Sequence, residues 1–373
     1  MTKRRPTKKA PSPAAEAFTP PYPPSWFDRF TDWVDRLPGP TWAFYLVFAV
    51  VLILEITVVH WLEGAYPVGT FPAGHVLIGG SLAYFLGLMH YTDKAAASAI
   101  DSFRPLLSPA KSGGRASIQD HSKFDVLSYR LTTLPRRPTL LVTLGGAAFA
   151  IAAIGRDVTS GTVPGYLVGT IGSPFATAAL LIVFIPANML IFPLAYHTVH
   201  QLVWVSRIYK EYARINIYQL QPLYALSLPG AYTALGLIAF VYALWAISPT
   251  DVSNQVQVGL SLVFAAIAAA TFAWPLLGAH RRLVKEKEAR LAEASSRFEA
   301  ATLELHRRLD SGRLLRMDDL NKAVATLEME QNALRRIPTW PWQPGVIRAV
   351  TAALLLPVAI WAIQTLLGRV LGV

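Results

Sequence analysis

Apolar positions along this chain are gathered into long unbroken blocks instead of alternating with polar ones, and the blocks have the length of membrane spans. Seven are drawn: Trp42–Leu62, Pro72–Tyr91, Thr139–Gly155, Pro174–Tyr196, Gly230–Ile247, Val256–Ala279 and Val346–Leu367. Each holds roughly the 17 to 25 residues that cross a bilayer core as a helix. The fourth contains Pro186 and Pro193, so a kink is expected there.

The polar stretches between the blocks carry their own periodicity. From Ser25 onward, Trp26, Phe27, Phe30, Trp33, Val34 and Leu37 recur at helical spacing among Asp28, Arg29, Asp32, Asp35 and Arg36. Ser25 caps this helix and Asp28 favours the positive end of its dipole. A short helix with one aromatic face, closed by Pro38-Gly39-Pro40, is expected over 25–40 in the plane of the interface, anchored by Trp26 and Trp33. Short helices are also expected around Ala95–Phe103 and Phe124–Thr133, and the fourth span should run on through His197, His200 and Trp204.

Between the sixth and seventh blocks, Val284, Leu291, Phe298 and Leu305 repeat every seven residues. Beyond Asp310-Ser311-Gly312, Leu320, Val324, Leu327, Gln331 and Leu334 alternate four and three apart. A helical, coiled-coil-like hairpin over 280–337 is predicted, its first arm continuing the sixth span by about 45 Å. Leu291, Phe298, Leu305, Leu320, Val324 and Leu327 are its candidate assembly residues. Trp340 and Trp342, set among three prolines, are expected where rings meet headgroups.

The expected fold is therefore all-α, a polytopic helical membrane protein with about seven transmembrane helices. The divisions are a disordered basic, Pro-rich tail over 1–24, the interfacial helix over 25–40, and a six-span core over 42–279 with loops at 93–138 and 197–229. The hairpin over 280–337 and a last span over 346–371 follow.

Charge orients this plan. Of the 34 Lys and Arg residues, all but Arg156 and Arg369 fall on one side. The positive-inside rule makes that side cytoplasmic, with the amino terminus inside, the carboxyl terminus outside, and the protein in a plasma or inner membrane. A net charge of +11 suggests nucleic acid in a soluble chain, but here it is accounted for by loops facing anionic lipid, and no nucleic-acid partner is expected. The absence of Cys removes disulfides, thiolate metal sites and cysteine nucleophiles. No cleaved signal is expected, since the first apolar block starts only at Trp42.

Chemistry is sparse. Glu55 is the one carboxylate deep in a span, and a charge there must be neutralised, paired or wet. His60 and His75 are its nearest ionisable neighbours by depth. Asn188 and Gln364 are the other buried amides, and with Glu55 they are the candidate pore residues. His90, His197, His200 and His280 fall at the basic ends of spans and form a candidate metal or haem set. Gly79, Ala83 and Gly87 form a small-residue stripe, as do Gly145 and Gly146 with nearby alanines. Metalloprotease, nucleophile-elbow, P-loop and dinucleotide motifs are missing, so no enzyme and no cofactor are expected.

The plan of seven spans, amino terminus inside and long helical extensions on the inner side resembles the arrangement of insect chemoreceptor channels. The resemblance is one of topology and carries no residue across. The expectation is an oligomeric channel- or transporter-like protein passing an ion or small solute, a homo-oligomer assembled through its inner helices. The alternatives are a non-conducting sensor or scaffold whose hairpin recruits a cytoplasmic protein, and a haem- or metal-binding membrane oxidoreductase.

Overall fold

The computed structural model describes residues 18–107, 116–160, 173–212, 217–218, 220–247, 255–312, 317–340, 345–353 and 355, and among these every regular element is a helix. In chain order they are α1 (Trp26–Asp35), α2 (Thr41–Leu62), α3 (Ala73–Leu107), α4 (Ala116–Thr132), α5 (Arg136–Ser160), α6 (Pro174–Met189), α7 (Ile191–Arg207) with a π turn over Ile208–Tyr212, α8 (Gln221–Ala225), α9 (Leu228–Ile247), α10 (Gln255–Asp310) and α11 (Met317–Arg336).

Six helical stretches among the described residues are long and apolar enough to cross a membrane: Thr41–Leu62, Ala73–Arg104, Arg136–Arg156, Pro174–Tyr212, Gln221–Ala246 and Ser261–Asp310. The seventh expected span, Val346–Leu367, falls mostly outside the described residues, of which 345–353 are helical. Along α2 the side chains of Leu46, Val47, Val50, Val51, Leu54, Val58 and Leu62 are all exposed. Such an apolar face requires a non-aqueous neighbour, lipid or protein.

Helix α3 is the hub. It packs against α2, α4, α6, α7, α8 and α9, with α5 outside α6 and α7, and α10 against α9 and α7. It runs unbroken from the second apolar block through Ala95–Phe103, where two separate helices were expected. No Gly or Pro lies between Tyr91 and Phe103, so nothing stops the helix as its pattern turns from apolar to amphipathic. The sixth block and the first arm of the expected hairpin likewise form one helix, α10, of 56 residues, about 84 Å long.

Close approach in the bundle depends on glycine. A Cβ at Gly79 would lie 2.8 Å from Ile53 Cγ1, and one at Gly146 would lie 2.5 Å from Met189 O. The second contact has a cause in the backbone. Pro193 has no amide hydrogen to give the carbonyl of Met189 four residues earlier, the helix breaks at Leu190 between α6 and α7, and α5 comes in against the freed oxygen at Gly146.

Two apolar cores result. One gathers Ile56, Phe85, Met89, Leu180, Leu190, Leu237, Phe240 and Phe264. The other gathers Ile100, Phe103, Leu127, Leu131, Ile208, Tyr209, Leu223 and Leu283. On α3 they are separated by residues 90–95, and on α7 by residues between Leu194 and Val205.

Helix α1 is docked on this bundle. Ser25 and Asp28 form a reciprocal capping box, with the Ser25 amide donating to Asp28 Oδ2 at 2.8 Å and the Asp28 amide donating to Ser25 Oγ at 3.3 Å. Its buried face is Phe27, Asp28, Thr31 and Val34, while Trp33 stays half exposed. Trp26 Nε1 donates to Thr143 Oγ1 of α5 at 3.0 Å. Residues 18–24, read from sequence as part of the tail, lie along α4. Tyr22 donates to Thr133 O and Tyr129 donates back to Tyr22 O, both at 2.7 Å. The rest of the tail lies outside the described residues.

Helix α11 packs back along α10. Lys287 Nζ donates to Arg335 O at 2.7 Å and Ile337 O at 2.8 Å, and Ala294 and Leu334 are buried between the two. Leu291, Phe298, Leu305, Leu320, Val324 and Leu327 are only half-buried.

Candidate functional site

Ionisable and polar side chains collect at both ends of the α2–α3 pair. At the α1 end they form a layer between the two apolar cores. His197 Nε2 lies 2.8 Å from Asp93 Oδ1, and Gln201 Nε2 donates to the same oxygen at 2.7 Å. His197 and Gln201 stand three and seven residues beyond Leu194, on the α7 face that looks toward α3. Nearby, His90 Nε2 donates to Asp35 Oδ2 at 3.2 Å, which leaves Nδ1 to accept from Tyr45 at 2.9 Å. Lys94 Nζ completes the chain at 2.6 Å from Asp35 Oδ1. Burial would raise the Asp35 carboxyl, but the hydrogen bonds from Lys94 and His90 outweigh it and hold the group below its usual range.

The Tyr45, His90 and Lys94 side chains line one end of a groove of about 420 Å³ between α2 and α3, whose remaining wall includes Leu46, Ala83, Gly87 and Leu88. Asp28, under the α4–α5 corner, accepts from Leu134 N at 3.2 Å as well as from Ser25. Burial raises its carboxyl even though the hydrogen bonds from Ser25 and Leu134 work against the shift.

The opposite end is less satisfied. Glu55 is half-buried, and its Oε2 is enclosed with no hydrogen-bond partner among the described residues. One turn on, His60 and His75 are buried with ring centres 4.5 Å apart, and the Nε2 of each also lacks a partner. Three of the five enclosed, unpartnered side-chain atoms of the described residues thus fall between Glu55 and His75. Native structures leave few such atoms, and each asks for an ion, a water or a chemical role.

The other residues expected from sequence are dispersed. Asn188 turns back on its own helix, donating to Phe184 O at 2.9 Å. Gln364 and Trp342 lie outside the described residues. The four histidines proposed as ligands do not converge. His90 and His197 serve Asp35 and Asp93, His200 Nε2 donates to Arg130 O at 2.8 Å, and His280 stacks on Trp340 at 3.8 Å with Nδ1 3.0 Å from Thr339 O. Among the described residues no group of three or more His, Asp or Glu could hold a metal ion. These four are not brought together among the described residues: His280 sits on α10 and His200 faces the α4 end of the bundle.

The chain matches no family model, no curated protein and no solved structure. The site therefore rests on its own geometry.

Sequence reasoning missed Asp93 and Asp35. Asp93 had a local signal, a carboxylate one turn past His90 at the end of an apolar block. Asp35 had none, because its partners His90 and Lys94 lie more than fifty residues away.

Proposed function

We propose that this chain is a multi-pass membrane protein that passes a proton, an ion or a small solute, with Glu55 as a binding station on the route. The observation that carries the reading is the enclosed, unpartnered Oε2 of Glu55 within an apolar helix long enough to span a bilayer. An intramembrane carboxyl is costly and is kept where it serves transport or a specific bond, and no such bond is found among the described residues. The basic loops then face the cytoplasm, the amino terminus is inside and the carboxyl terminus outside. On this orientation the layer of Asp93, His197, His90 and Asp35 lies at the inner boundary, where polar groups reach water. The exposed apolar face of α2 and the half-buried seam of α10 and α11 support assembly of several copies in a plasma or inner membrane.

A second reading is favoured by α10 and α11. Leu303, Leu309 and Met329 stay largely exposed on helices that are otherwise charged, which suits a scaffold whose helical arms recruit a cytoplasmic protein. Flux of protons and monovalent ions into proteoliposomes separates the two, because a scaffold gives none above protein-free vesicles.

A further inference from the structure

The turn joining α2 to α3 closes over two imidazoles. His60 and His75 are 0% and 1% exposed, their ring centres are 4.5 Å apart, and the Tyr66 ring lies 5.8 Å from one and 5.7 Å from the other. The loop is held down by its own backbone, with the amides of Ala65 and Tyr66 both donating to His60 O, and by Trp61 Nε1 donating to Thr70 O at 2.7 Å.

The tautomers of both rings follow from their partners. His60 Nδ1 lies 2.7 Å from Ile56 O, and a carbonyl only accepts, so Nδ1 carries the hydrogen. Thr57 gives its single hydroxyl hydrogen to Ile53 O at 2.7 Å, so its oxygen is left to accept from His75 Nδ1 at 3.1 Å. Each ring therefore presents Nε2 as a bare acceptor in a dry setting, and neither nitrogen is the other's hydrogen-bond partner. An imidazole that donates through one nitrogen to a carbonyl or hydroxyl and offers the other as a lone pair is arranged as metal-bound histidines are.

We propose that His60 and His75 form a two-histidine site for a borderline transition-metal cation such as Zn²⁺. With a Zn–N bond of about 2.0–2.1 Å, two imidazoles on one tetrahedral ion place their ring centres about 5 Å apart, so the rings, now at 4.5 Å, part slightly to take the ion between their Nε2 atoms. One ion satisfies both bare nitrogens at once, each of which is otherwise a buried acceptor without a partner among the described residues. No third His, Asp or Glu joins the pair among the described residues, so the other two positions are left to ligands that enter with the ion. The site clamps the end of α2 to the start of α3, and it stands or falls independently of whether Glu55 carries flux.

The test uses tag-free full-length protein in detergent, titrated with Zn²⁺ by calorimetry and with Co²⁺ by absorption. One equivalent is expected to bind, with uptake lost in His60→Ala and in His75→Ala and kept in His306→Ala. Thr57→Val keeps both rings but removes the hydroxyl behind His75, and is expected to weaken binding 10- to 100-fold. Should the histidine variants fail to fold, X-ray absorption on the parent protein decides, with two imidazole nitrogens expected around zinc. Absence of stoichiometric binding, binding unchanged in both histidine variants, or a proton merely shared between the rings without metal uptake would each overturn the proposal.

Discussion

His197, on α7, places Nε2 2.8 Å from Oδ1 of Asp93, on α3, at 1% exposure, in the layer that separates the two apolar cores. The contact ties two helices whose bonded residues are 104 positions apart in the chain. Gln201 is the only other side chain found on that oxygen among the described residues. Replacing His197 with Ala leaves a largely buried carboxylate short of one of its two partners, and the loss expected is about 1–3 kcal/mol. Thermal unfolding in detergent measures it, and the double variant His197→Ala with Asp93→Ala should recover part of the loss.

The two adjacent glycines of α5 should respond differently. A Cβ at Gly146 would meet the Met189 carbonyl at the α6–α7 break, whereas one at Gly145 meets nothing within 4 Å. Gly146→Ala is expected to lower stability by about 1–3 kcal/mol, since backbone cannot yield as a side-chain tip can. Gly145→Ala should be neutral or slightly stabilising by the same assay.

Asp28 gives a prediction in pH. Burial holds its folded carboxyl above the usual aspartate range, so the folded state holds that proton more tightly than the unfolded chain does. Its contribution is therefore most favourable at low pH and is lost as pH rises from about 4 through the folded value. Asp28→Asn keeps an acceptor for Ser25 and Leu134 but has no charge to bury. The parent should lose stability relative to Asp28→Asn between pH 4 and neutrality. Asp28→Ala, lacking the cap, should be about 1–2 kcal/mol weaker than Asp28→Asn at every pH.

For the α10–α11 pair, burial decides which contacts matter. Leu334 is 1% exposed between the helices, while Met329 is 64% exposed. Leu334→Ala should cost about 2–4 kcal/mol and Met329→Ala less than about 0.5. If a second copy covers the seam, the pair Phe298→Asp and Leu305→Asp should also lower the oligomer size seen by light scattering.

Six of the seven apolar blocks were legible as helices long and apolar enough to cross a bilayer, because that length is written directly in apolar runs. Trp42–Leu62 and Gly230–Ile247 differ from α2 and α9 by only one or two residues. The kink was legible too, since Pro186 and Pro193 flank Leu190. Helix ends beyond the apolar blocks were harder to read. Amphipathic turns such as Ala95–Phe103 look separate in sequence, yet without a breaker they extend α3. Packing partners were least legible. Asp28 reads as a solvated position of an amphipathic helix, but the α4–α5 corner covers it, and that corner is more than a hundred residues away. His60 and His75 were visible as ionisable groups at similar depth. Their close approach depends on the antiparallel register of α2 and α3, which sets Thr57 against His75 and Ile53 against Gly79.

The most direct test of the proposed function is proton and ion flux through purified protein in liposomes, compared between the parent, Glu55→Gln and Glu55→Ala across pH. Gln keeps the shape and hydrogen-bonding capacity of Glu and removes only the titration. If Glu55 is the station on the route, the parent conducts, and Glu55→Gln folds normally but loses most of its flux and all of its pH dependence. Flux that is undiminished in Glu55→Gln, or absent from the parent altogether, would contradict the account.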